Sequence, residues 1–287
     1  MPDPQKVLAT LQRAENLFRN TPGRRGSVVH LDNAEEVMVV GDLHGHIGTF
    51  SQVLKLAKLE AHSGRHLILQ ELVHDPRADP DDDIGDLSHR LVDVVCALKC
   101  QFPTRVHYLP GNHELSEVTR RSIAKNRVPL NALFLKGIES DYGPAAGAIH
   151  AAYQSLFAAL PLAARTPNRV LVVHTIPEGR DLETFDPAIF EADVWPTESL
   201  ARGGSVYGLT WGRDSSPETA DRFAAIVDID FFVNGHQPVD EGFRVANHRQ
   251  LIVDGTPPRP GLVLFSTREP MSMERLRAGV KLLATTG

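Results

Sequence analysis

The stretch Val37-Met38-Val39-Val40-Gly41-Asp42-Leu43-His44-Gly45 decides the fold. Four consecutive apolar residues that stop at a glycine read as a short buried strand. The glycines flanking Asp42-Leu43-His44 let the backbone turn sharply and expose the polar side chains at the strand's end. With one residue between them, Asp42 and His44 can reach one ion from an extended loop. Alone, the segment is equally a strand-to-helix turn with a capping Asp, so its meaning depends on how the other strands end.

Four more strands end in the same way. Residues 66–73 read as a second buried strand and deliver Glu71, His74 and Asp75. Residues 106–109 form a third and run into Gly111-Asn112-His113-Glu114. Residues 170–173 are followed by His174, and residues 231–233 by Gly235-His236. Open α/β sheets place ligand sites just outside the carboxyl ends of their strands. Asp, His and Asn at such positions are hard and borderline ligands, suited to Mn, Fe or Zn. A lone strand-end His is usually a satisfied, hydrogen-bonded one, and a lone Gly-Asn-His-Glu is a turn with Asn in a left-handed conformation. Five such pieces in order, each after a strand, point instead to a metal site.

The segments between carry a helical period. It predicts a helix over 4–19 (Val7, Leu8, Leu11, Ala14, Leu17, Phe18), one through Phe50, Val53, Leu54 and Ala57, and one through Leu91, Val94, Val95 and Leu98. Residues 115–160 read as mostly helical with a break near Gly143-Pro144, and 75–86 as an acidic, solvated loop. Residues 243–265 alternate and turn like late strands. Strands alternating with helices, followed by strands in succession, imply a layered α/β fold with some antiparallel sheet.

The 287 residues contain no internal repeat, low-complexity tract or splitting linker, so one domain over 1–287 is expected. Apolar content of 42% and charged content of 23% are those of a soluble globule. A net charge of −6 without a Lys/Arg stripe gives no expectation of nucleic-acid binding. The same charge would repel an anionic substrate unless bound cations reverse the sign locally. Cys96 and Cys100 lack a second Cys/His pair at zinc spacing and suit a reducing, cytoplasmic compartment. The first residues have no signal-peptide pattern, and no apolar run is long enough for a membrane span.

The ordered pieces GDLHG, QELVHDP, GNHE, VHTIP and NGHQP resemble the phosphoprotein (serine/threonine) phosphatase family of calcineurin-like metallophosphoesterases. That family's pattern runs GDxHG, GDxxDRG, GNHE, a strand-end HGG and a closing GH or AHQ. The likeness extends between motifs, through QFPTRVHYLPGNHE, LFAALPLAARTPNRVLVVH and GHQPVDEGF, and covers roughly residues 5–268. It implies a four-layered α/β sandwich, two facing mixed β-sheets flanked by helices, with a core over about 28–268 preceded by the 4–19 helix. It further implies that Asp42 and His44 bind one divalent metal and Asn112, His174 and His236 a second. Glu71 then stands at the bridging carboxylate and His113 protonates the leaving oxygen. The implied reaction is in-line attack on phosphorus by a hydroxide held between the two ions.

The second motif departs from the pattern. Glu71 is a methylene longer than the family's Asp, and His74 replaces the Asp that orients the catalytic histidine. The phosphate-gripping Arg becomes Asp75 or is displaced to Arg77, and Pro110 stands where many members carry another. Arg213 lies where the family often supplies one more such group. His174 is followed by Thr175 rather than glycine. Asp254-Gly255 reads either as a ligand-side group or as a turn after a strand, in a setting, LIVDGT, similar to bacterial members that include diadenosine tetraphosphatases. The expected function is a metal-dependent phosphatase acting on a phosphoprotein, small phosphoester or nucleotide. Its rivals are a dinucleoside polyphosphate hydrolase and a catalytically silent metal-binding interaction domain.

Overall fold

In the strand Glu36–Asp42, Val37 and Val39 enter one hydrophobic core while Met38 and Val40 enter another. Both faces are covered, and for that reason the sequence run is continuously apolar instead of alternating. The computed structural model in which this is seen describes residues 3–125 and 128–284, so the ends of the expected 1–287 span lie outside the described residues.

Glu36–Asp42 is the middle strand of a five-stranded sheet. It runs parallel to Arg65–Gln70, which is parallel to Val106–Leu109. On its other side Gly261–Ser266 is antiparallel to it and to the edge strand Val280–Leu282. A seven-stranded sheet faces this one, in the order Arg24–Arg25, Val28–His30, Ala163–Arg165, Val170–Val173, Phe231–Asn234, Gln250–Val253, Phe243–Val245. Three adjacent strands, Val170–Val173, Phe231–Asn234 and Gln250–Val253, are parallel, and Phe243–Val245 pairs antiparallel at the edge.

Val37, Val39, Ile68, Val170, Val172, Val233, Leu251 and Val263 fill the space between the two sheets. The outer face of the five-stranded sheet packs on the helices Pro4–Arg19, Ile47–Ala57, His89–Gln101, Leu130–Tyr142 and Ala146–Ala158 through Phe18, Phe50, Val95, Phe134 and Tyr153. The outer face of the other packs on Ser205–Trp211 and Pro217–Val227 through Leu209 and Phe223. Helix, sheet, sheet and helix make the four layers the sequence implies. Each fully buried Val, Leu or Phe in these cores is worth about 1.5–3 kcal/mol.

Two local expectations change. The second strand stops at Gln70, so Glu71 is already in the loop. The 115–160 region holds the helices Asn112–Thr119, Leu130–Tyr142 and Ala146–Ala158, with the break at Gly143–Ala145 as read. Between the first two, however, Ala124–Lys125 and Val128–Pro129 pair as a hairpin, with residues 126–127 outside the described residues. Arg120 ends the preceding helix in the left-handed region, at φ 54°, which turns the chain out of its helical path. Among the described residues no helix is long and apolar enough to cross a membrane.

Candidate metal centre

The strand ends meet at one edge of the sandwich. Asp42 closes its strand and forms a lone parallel bridge with Asp254, joining the two sheets there. The loops that follow are laced together. Leu43 and His44 donate their N–H groups to Glu71 O at 2.9 and 3.1 Å, Gly45 donates to Leu72 O at 2.8 Å, and Gly235 donates to His174 O at 3.0 Å.

Glu71 lies at the centre. Its Oε2 is 3.4 Å from His44 Nε2, while its Oε1 is 3.6 Å from His174 Nε2 and accepts the His113 backbone N–H at 2.9 Å. His174 Nε2 and His236 Nδ1 face each other at 3.2 Å. Donor atoms of His44, Glu71 and His113 converge within 4.8 Å of one another, and so do those of Glu71, His174 and His236. Asp42 Oδ1 is 3.6 Å from His174 Nδ1, and both its carboxylate oxygens accept the His236 N–H. Asn112 is buried and begins the helix whose His113 N–H donates to Glu71. Asp42, His44, Glu71, His174 and His236 thus lie together at this edge, with Asn112 at the start of the adjoining helix.

Two glycines are there because a carboxylate is. A Cβ on Gly235 would stand 2.3 Å from Asp42 Oδ1, and one on Gly111 would stand 2.2 Å from Glu71 Oε1. The backbone is bent to the same end. His44 (φ 42°), Glu71 (φ 37°) and His236 (φ 66°) all occupy the left-handed region. Side chains other than Gly, Asn and Asp reach it at a cost of about 1–2 kcal/mol each, strain of the kind that concentrates at functional sites. No sequence signal announces these three bends.

The electrostatics test whether a cation fits. Burial pushes Asp42 up to about 7, helped by nearby Asp254 and opposed by the His236 N–H. Burial, then Asp42 and Glu114, push Glu71 well above the carboxylate range. Among the described residues the ion-pair partners of these two carboxyls are histidines alone. Burial first, then the crowding of neighbouring imidazoles, depresses His113 and His174 well below the usual imidazole range, with Arg213 adding to the effect on His174; burial and Arg213 lower His236 to about 3. Two buried carboxyls without a fixed counter-charge, among imidazoles kept neutral, form a donor set that fits divalent cations.

The remaining expected residues fall into place as follows. Glu114, next to His113, is a scaffold: it accepts from Leu72 N–H, Val73 N–H, Gly111 N–H and the Tyr108 hydroxyl, at 2.9, 3.1, 2.8 and 2.5 Å. His74 is fully buried with its Nδ1 3.0 Å from His113 Nδ1. Arg77, the displaced arginine, is held by Asp75 at 2.8 and 2.6 Å. Arg213 is exposed, and its charge is close enough to depress both His174 and His236. Thr175, standing where a glycine was expected, donates its hydroxyl to Gly212 O at 2.7 Å and so fixes the segment that carries Arg213. Asp254 is a turn group: it accepts from Val239 N–H, Thr256 N–H and the Thr256 hydroxyl. In the acidic loop, Asp86 accepts from the Asp75 and Ser88 N–H groups, and Asp82 from Ile84 and Gly85, so these carboxylates serve the loop's own backbone. Sequence reasoning missed Glu117, which sits under His74; its one sequence signal is the i, i+4 spacing from His113, which puts both on one helix face.

A family model described as calcineurin-like phosphoesterase matches residues 36–240. A probable serine/threonine-protein phosphatase of Encephalitozoon cuniculi is 25% identical over 243 residues, covering 76% of this chain and 46% of its own length. Serine/threonine-protein phosphatase 5 of Homo sapiens is 22% identical over 235 residues, covering 76% of this chain and 42% of its own. The chain thus spans less than half the length of these relatives. Among solved structures, a Saccharomyces cerevisiae protein serine/threonine phosphatase with similarity to human phosphatase PP5 superposes with a TM-score of 0.72 at 17% identity, over 100% of this chain and 91% of that one. A cold-active protein-tyrosine phosphatase of a Shewanella species superposes at 0.55 with 14% identity, over 85% and 78%. These likenesses show a shared fold.

Proposed function

The chain belongs to the calcineurin-like phosphoesterase family, and on that premise we propose that residues 1–287 form one catalytic domain of a metal-dependent phosphatase for phosphomonoesters, of the serine/threonine-phosphatase kind. The observation that carries this reading is the placement of Glu71, one carboxylate oxygen toward His44 and the other toward His174. That is the arrangement a carboxylate needs to serve two ions at once.

Asp42, His44 and Glu71 would hold one divalent ion, and Glu71, Asn112, His174 and His236 the other, with Mn, Fe or Zn suited to such donors. Bound there, the ions would supply Lewis acidity toward the phosphoryl oxygens and an activated water. Their charge also offsets the chain's net −6 where an anion must enter. The chain's own groups do the rest. Arg213, at the exposed rim, grips the phosphate through its planar guanidinium. With a phosphate dianion bound beside it, His113 takes up a proton on Nε2 and passes it to the departing alkoxide. A cytoplasmic location fits the two free thiols, Cys96 and Cys100.

The test is hydrolysis of p-nitrophenyl phosphate with Mn, followed by a phosphopeptide and diadenosine tetraphosphate. The expected result is turnover that falls by about 10²–10⁴-fold in His113→Ala. A marked preference for the dinucleotide would shift the reading to nucleotide hydrolysis. Metal binding without turnover on any of the three would leave a silent interaction domain.

A further inference from the structure

Glu117 takes no part in the chemistry above, yet it is wired to it. It follows His113 by one helical turn in Asn112–Thr119 and is 2% exposed. Its Oε1 accepts from His74 Nε2 at 2.9 Å and from Asn131 Nδ2 at 2.7 Å, and its Oε2 accepts from His150 Nε2 at 2.8 Å. Burial would push this carboxyl up, but the hydrogen bonds from His150 and His74 outweigh it and hold it at about 2. Glu117 is therefore ionised at any working pH.

An ionised carboxylate only accepts hydrogen bonds, so the His74 nitrogen that faces it, Nε2, carries a proton. The lone pair of a neutral His74 then lies on Nδ1, the atom 3.0 Å from His113 Nδ1. On this pairing His113 would meet it with Nδ1–H, which leaves Nε2 on the far side of its ring for the reacting group. The His74 backbone N–H is also placed to donate to His113 Nδ1, at 3.3 Å, the longer of the two contacts and the one given up when Nδ1 carries the proton. Packing leaves His74 little freedom: its ring is fully buried and stands edge-on to Phe134 with centroids 5.1 Å apart.

We propose that Glu117 is a positioning residue for phosphoester hydrolysis: acting through His74, it fixes the tautomer and ring orientation with which His113 meets the leaving group. The substitution of His for a carboxyl at position 74 thereby moves the negative charge one imidazole further from His113 instead of removing it. In its turnover arm the inference rests on the phosphatase reading; its spectroscopic arm stands on the hydrogen bonds alone.

The experiment pairs Glu117→Gln with His150→Gln, which touches only the other oxygen. A Gln amide can donate to His74 Nε2, so the His74 proton is expected to move to Nδ1, where it confronts His113. In Mn-loaded protein, kcat should drop about 10²-fold in Glu117→Gln with KM nearly unchanged, while His150→Gln stays close to wild type. Imidazole ¹⁵N–¹H correlation spectra should show His74 protonated at Nε2 in wild type and His150→Gln, and at Nδ1 in Glu117→Gln. An unchanged kcat in Glu117→Gln, or equal losses in both variants, would overturn the proposal. A His74 carrying its proton on Nδ1 alone in wild type would do the same, even if Glu117→Gln failed to fold. Wild-type protein without turnover on any phosphoester would sink the phosphatase reading; the spectra would still decide the positioning role.

Discussion

Glu71 and Glu117 are the same residue, equally buried, and both touch the helix Asn112–Thr119, yet they are driven in opposite directions. Glu71 is forced toward its neutral form, whereas Glu117 is held ionised. The difference is in the partners. Glu117 is surrounded by donors from the chain itself, His74, His150 and Asn131. Glu71 receives one backbone N–H and otherwise faces Asp42 and the imidazoles of His44 and His174. A buried carboxylate that the protein itself satisfies belongs to the scaffold; one left for an outside cation marks the site.

The contrast makes predictions of opposite sign. Glu71→Gln removes the carboxylate proposed to serve both ions, so metal-dependent turnover should fall by about 10³-fold or more, beyond the 10–100-fold typical of losing an outer partner. Metal-free, the same variant should be the more stable one at pH 8. A group whose folded pKa is raised destabilises the native state above its unfolded pKa, so the gain should vanish below about pH 4.5. Urea unfolding of the chelated protein at both pH values measures it. Added Mn should raise the melting temperature of wild type and leave Glu71→Gln behind.

Glu117→Gln should behave in reverse. Its folded pKa is depressed from 4.5 to about 2, so its contribution, about 3 kcal/mol, is complete above the unfolded value and is lost as pH falls through the folded one. Unfolding free energies of wild type and variant should therefore differ most near pH 6 and converge between about pH 4.5 and 2.

Gly235→Ala asks whether the site's geometry is fixed. Its Cβ would stand 2.3 Å from Asp42 Oδ1, so the carboxylate must move, and metal affinity by calorimetry should weaken about 10–100-fold. An effect of similar size, confined to turnover, belongs to Arg213→Ala. An exposed guanidinium gripping phosphate is worth about 1.5–3 kcal/mol, so kcat/KM should fall by roughly 10–100-fold while metal content stays unchanged.

The comparison also marks how far the sequence could be read. Asp42, His44, Asn112, His174 and His236 each sit just past an apolar run, all but His174 with a glycine close by, and that local pattern pointed to the layers and to the edge where these side chains lie. Glu71 was legible only by its place in the order of motifs. The bends at His44, Glu71 and His236 were not, because left-handed backbone at a bulky residue is imposed by tertiary structure against local preference. Nor was the Glu117 network. Its members, at positions 74, 117, 131 and 150, are brought together by the packing of three helices and a loop, and none of them ends a strand. Arg77 shows the converse. The sequence offered it as a displaced phosphate ligand, and a carboxylate two residues away holds it.

The most direct test of the two-ion reading is metal stoichiometry. Wild-type protein and Glu71→Gln, each saturated with Mn, freed of excess and submitted to elemental analysis, should give two ions per chain and one or fewer, respectively. Two ions in both, or none in wild type, would contradict the role assigned here to Glu71 and the centre built around it.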